Sequence, residues 1–210
     1  MYIFFVAGIS SGLTYALTQL LIPYYHPHHE LLQNNNKHKC MFILFITYLP
    51  ILLILHYEPI HYYTLSIYFI LIIIVMTAAV LDSQYMVIPD RLLIVFLPSI
   101  FLLQLLNNQL FEGFLGGLFA FTLLLLIAII SQGGIGGGDI KLFTIIGLST
   151  SFTFVYQLLL FSSLMAFIIG LFSRITGRRK KHEMVPFGPT IAVVTILLIC
   201  YDTSVQEGIV

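Results

Sequence analysis

Eight apolar segments, at about 2–22, 40–56, 64–81, 92–106, 113–131, 141–149, 153–173 and 187–201, take up most of this chain, and no water-soluble core can absorb them. The run from Leu142 to Ser173 exceeds the roughly 20 residues that one crossing needs, so a break is placed at the Ser-Thr-Ser of 149–151. Only 9% of the 210 residues are charged and 59% are hydrophobic. A soluble domain carries about 25% charged residues. The mean hydropathy of +1.01 agrees, because the polar side chains are too few to coat a globule. The expected fold class is all-α: a polytopic membrane helix bundle of about eight transmembrane helices, with the lipid bilayer as its surroundings.

Charge excludes some partners. The net charge is zero, which argues against nucleic acid. The two cysteines, Cys40 and Cys200, cannot build a metal cluster by themselves and do not suggest a disulfide framework. The opening "MYIFFVAGISSGLTYALTQLLI" has no basic residue before its apolar run, so it reads as a retained first span instead of a cleaved signal.

Basic residues gather on the cytoplasmic side of a membrane protein. With the N-terminus outside, alternate loops place Lys37, Lys39, Arg91, Lys141, Arg174, Arg178, Arg179, Lys180 and Lys181 inside, which is all 9 Lys and Arg residues. The outside loops then hold Glu58, Glu112, Asp202 and Glu207. This partition predicts both termini outside, and it puts Asp82, Asp90, Asp139 and Glu183 at the cytoplasmic ends of spans.

Acids that close to lipid have either a structural partner or a task. Asp82, where the third segment enters its loop, sits unfavourably at a helix C-terminus; it is a solvated acid paired with Arg91 or a functional group. Asp90 follows Pro89 and precedes "RLLIVFL", a helix-start pattern in which its side chain caps free backbone N–H groups. Asp139 also begins a helix, but Gly133, Gly134, Gly136, Gly137 and Gly138 come just before it. Those glycines open backbone conformations closed to other residues and leave room for close approach, which a simple cap does not need. The glycines lack the Gly-Lys-Ser/Thr of a phosphate loop and the spacing of a dinucleotide site.

Two carboxylates at one depth suit acid–base chemistry. Close like charges resist joint ionisation, so such a dyad shares a proton. The ionised member takes a proton from water while the protonated one hydrogen-bonds a carbonyl. No nucleophile–base pattern competes, since Gly-x-Ser-x-Gly is absent and the histidines cluster in "HPHH" or stand singly. A metal held by Asp82, Asp139 and Glu183 remains an alternative without His or Cys ligands at useful spacing.

The motifs "LDSQYMVIPD" (81–90), "GGGDIKL" (136–142) and "VPFGPTIA" (185–192) together resemble the type IV prepilin peptidases, the Gly-x-Gly-Asp class of intramembrane aspartic proteases. The resemblance covers about residues 64–201, expected to form the catalytic membrane domain. Residues 1–63 form a divergent N-terminal membrane region without the Cys-x-x-Cys pairs of many family members. The resemblance implies Asp82 and Asp139 as the catalytic pair. Gly136, Gly138, Lys141, Pro89, Asp90, Pro186, Phe187, Gly188 and Pro189 are expected to shape the site, the Pro-Phe-Gly-Pro stretch doubling as a helix-entry turn.

The implied reaction removes a short basic leader from type IV prepilins or pseudopilins, after a glycine and at the cytoplasmic face. Pilus assembly, secretion and DNA uptake (competence) are all compatible with that substrate. No cofactor or metal is expected, and the N-methylation performed by many homologues is in doubt without the cysteine region. Two readings from other classes compete: a proton- or cation-coupled transporter using the same acids, and an inactive subunit of a secretion complex. Helix position and the nearby Lys141 favour Asp139 as the charged partner and Asp82 as the proton holder.

Overall fold

Polar and glycine-containing stretches punctuate the apolar runs, and each helix starts or stops at one. The computed structural model describes residues 12–20, 62–132, 134–175 and 187–207, the last five as backbone. Within them, seven helices and no strand occur: α1 (residues 12–20), α2 (Tyr62–Tyr85), α3 (Asp90–Leu106), α4 (Leu110–Ile130), α5 (Gly137–Ser149), α6 (Phe152–Ile175) and α7 (Gly188–Glu207). After α2, α3 and α4 the chain turns through one left-handed residue each, Met86 (φ 53), Asn108 (φ 56) and Gln132 (φ 52). Their amides bond back to the Asp82, Leu105 and Ile129 carbonyls, closing the helix ends. The Ser-Thr-Ser break is real: α5 ends at Ser149 and α6 begins at Phe152.

The short α5 is the centre of the bundle. It packs on α2, α3, α4 and α6, and buries Ile140, Leu142, Phe143, Ile145 and Ile146. Its tightest neighbour is α4, because glycines let the two backbones meet. A Cβ on Gly147 would stand 2.6 Å from the Gly116 carbonyl and 2.7 Å from the Gly117 nitrogen. Gly113 lies as closely against the Leu148 carbonyl, which also accepts a 3.2 Å hydrogen bond from Gln104 Nε2. On the other side α2 packs antiparallel against α7. The helical stretch α1 joins the core through Tyr15 and Leu17 and buries Thr14 and Thr18.

The outward faces of α3, α4 and α6 carry exposed Val95, Phe101, Phe111, Leu118, Phe161 and Phe167. Such a surface is stable against lipid, not water. This is a membrane protein. About eight crossings is nevertheless corrected among the described residues, where three helices, Tyr62–Tyr85, Leu110–Ile130 and Phe152–Ile175, are long and apolar enough to cross. The reason is length. At about 1.5 Å per residue, the 13 residues of α5 reach only about 20 Å of a roughly 30 Å hydrocarbon core. The segment at 40–56 lies outside the described residues, as does all but 12–20 of the first segment.

Candidate active site

The ends of α2, α4 and α6 and the starts of α3, α5 and α7 meet at one end of the bundle, and every described motif residue lies there. Asp82 belongs to the last turn of α2, which runs past the expected end at 81 to Tyr85. It is only 8% exposed, so it is no solvated loop acid. Its Oδ2 accepts a 2.7 Å hydrogen bond from the Gly188 backbone N–H at the start of α7, and the Phe187 N–H is directed at the same carboxylate. Glycine is required at 188: a Cβ there would stand 2.8 Å from the Asp82 Cβ and 2.9 Å from Oδ2.

Asp139 lies in the first turn of α5, after the cap residue Gly136, whose carbonyl accepts the Asp139 N–H at 3.1 Å. It is therefore not the N-cap. Gly136 leaves the Asp139 carboxylate uncrowded, since a Cβ would stand 3.3 Å from Oδ2. Gly138 packs against Ile88, where a Cβ would lie 3.0 Å from the Ile88 Cβ. The glycines thus seat α5 against the turn that carries Pro89.

Two sequence expectations are corrected here. Asp90 does not cap α3; Pro89 holds the cap position with no side-chain bond, and the Asp90 carboxylate pairs with Lys141 Nζ at 2.8 Å from each oxygen. Lys141 thereby ties the start of α5 to the start of α3, and its charge is committed to Asp90 instead of Asp139. The grounds for the proton bias change as well: Lys141 is turned to Asp90, and it is Asp82 that receives a backbone N–H, from Gly188.

Asp82, Asp139, Gly136 and Phe187 line one cavity of about 590 Å³. Its floor and walls include residues beyond the expected site set: Met86, Ile135 and Phe143, with Leu124 and Ile127 of α4 and Leu159, Ser163 and Ala166 of α6. The last three recur at i, i+4 and i+7, one helical face, a spacing visible in the sequence but common to any packed helix. Phe143 stacks on Phe187 with ring centroids 6.2 Å apart, joining α5 to the entry of α7. Pro189 follows Gly188 in the first turn of α7, where its missing N–H costs nothing. Pro186, Glu183 and the basic run at 178–181 lie outside the described residues.

A helical membrane bundle that brings two carboxylates from separate helices to one cavity is equipped for paired-acid chemistry. Residues 69–171 match the model of the type IV leader peptidase family, and the chain is a member of that family. It is 37% identical over 142 residues to the prepilin leader peptidase/N-methyltransferase of Bacillus subtilis (strain 168), covering 67% of this chain and 56% of that protein. A protein of the same name from Vibrio cholerae serotype O1 (strain ATCC 39315 / El Tor Inaba N16961) is 41% identical over 63 residues, 30% of this chain and 24% of the relative. The chain thus aligns with just over half the length of the first relative and about a quarter of the second. No solved structure matches it.

Proposed function

We propose that the unit spanning residues 64–201 is an aspartic endopeptidase that removes the basic leader from type IV prepilins or pseudopilins. The observation that carries this reading is the convergence of Asp82 and Asp139, from two different helices, on one cavity. The proposal concerns the peptidase half of the relatives' printed names alone.

Asp82, held by the Gly188 N–H, takes a proton from a water whose oxygen attacks the scissile carbonyl carbon. Asp139 gives its proton to the carbonyl oxygen as that charge develops. Collapse of the tetrahedral species returns the proton to Asp139, and Asp82 passes the other to the leaving nitrogen. Neither a covalent intermediate nor a metal enters these steps. Gly136, Gly138, Pro89, Phe187 and Pro189 shape the site, and the Lys141–Asp90 pair fixes the spacing of the α3 and α5 starts.

Charge supports a cytoplasmic placement of this end. Arg91, Lys141 and Arg174, the Lys and Arg residues among those described, belong to the site-end turns of α3, α5 and α6, while Glu112 and Asp202 belong to the far end. By the same rule both ends of this sequence fall on the opposite face.

Co-expression with a candidate prepilin tests the proposal by gel shift. Wild type is expected to release the leader, whereas Asp82→Asn and Asp139→Asn, still membrane-inserted, release none. Cleavage by either variant rules out the dyad mechanism.

A further inference from the structure

Two hydrogen bonds fasten α2 to α7, one at each end. At the site end Gly188 donates its N–H to Asp82; at the far end the Tyr68 hydroxyl donates to Asp202 Oδ2. Fourteen positions separate Tyr68 from Asp82 on α2, and fourteen separate Gly188 from Asp202 on α7. Fourteen residues are two heptads, so both bonds stand on one seam of an antiparallel pair. At heptad spacing between them, α2 carries Leu71, Val75 and Ala78, and α7 carries Ile191, Thr195 and Leu198, none more than 7% exposed.

An apolar seam does not fix its own register well. A slide by one turn exchanges one apolar contact for another, whereas a polar pair on the seam accepts a single alignment. A slide of one turn, about 5.4 Å, also removes the Gly188 N–H from Asp82. At the site end only a glycine fits against Asp82, so the site tolerates one alignment of the seam and depends on whatever holds it.

We infer that the Tyr68–Asp202 hydrogen bond is the register lock that sets the start of α7 against Asp82, making Tyr68 and Asp202 positioning residues for a site about 21 Å away. Its effect on cleavage rests on the peptidase reading; the register does not. Both residues border a polar recess of about 580 Å³, so water solvates whichever partner is left when the other is removed, and the helices still fold.

Register is read by the distance between spin labels at the exposed Ser83→Cys and Val193→Cys positions, with Cys40 and Cys200 replaced by serine. Tyr68→Phe and Asp202→Leu are expected to broaden or displace the distance, and Asp202→Asn, which keeps an acceptor oxygen, to restore it. In step, kcat on a candidate prepilin falls on the order of 10- to 100-fold in the first two variants, with KM unchanged, and recovers in the third. An unaltered distance in both lock-breaking variants overturns the lock. An altered distance with wild-type kcat overturns the positioning role. If the distance moves and even the wild type cleaves no prepilin, the lock stands and the peptidase reading falls.

Discussion

Asp82 and Asp139 face one cavity, and close like charges resist joint ionisation. Asp139→Asn removes that repulsion and is expected to melt a few degrees above wild type at pH 7.5; thermal unfolding in detergent measures it. The same residue shows where reading along the chain misleads. Lys141 is two positions away in sequence, but it pairs with Asp90, 51 positions distant. Motif spacing identified both aspartates, whereas the choice of partner depends on how α3 and α5 dock.

At the scale of helices, apolar runs bounded by Pro89, Asn107–Asn108, Ser131–Gln132 and Ser149–Ser151 made α2 to α6 legible to within a few residues, with α7 running past its expected end. Lengths were less legible, since a run of apolar residues does not distinguish a lipid-facing helix from a core helix. α5 has 13 residues and is apolar because protein surrounds it. Its contact with α4 was hidden for a different reason: Gly113, Gly116 and Gly117 lie far from Gly147 along the chain, and only the fold brings them face to face. Gly147→Ala places a methyl 2.6 Å from backbone atoms that cannot rotate away. The expected cost is about 1–3 kcal/mol or more, seen as a lower melting temperature. Gly137→Ala, with nothing within 4 Å of its Cβ, serves as the tolerated control.

Across the described residues, sequence charge and motif order anticipated that Asp82, Asp90 and Asp139 share one end with Arg91, Lys141 and Arg174. What they did not convey is depth. From the contact of Gly113 with Leu148, α4 climbs seventeen residues to Ile130, about 26 Å, while α5 climbs nine to Asp139, about 14 Å. For helices lying side by side, the carboxylate is sunk about 12 Å beneath the rim of α4. The cavity walls along that depth are mostly apolar, with Ser163 and Ala166 the small residues of the α6 side. Ala166→Phe is expected to slow turnover on the order of tenfold, about 1.4 kcal/mol, at an unchanged melting temperature; rate and melt measured on one preparation separate blockage from misfolding.

For the proposed peptidase, the shortness of α5 has a chemical meaning. Hydrolysis consumes water, and the hydrocarbon interior holds almost none. A full-length central helix would lift the carboxylate to the headgroups, where water is abundant but a membrane-embedded peptide bond would have to unwind and climb to it. A helix stopped short leaves the cavity above it instead, a path by which water reaches a bond that stays near its own depth in the bilayer.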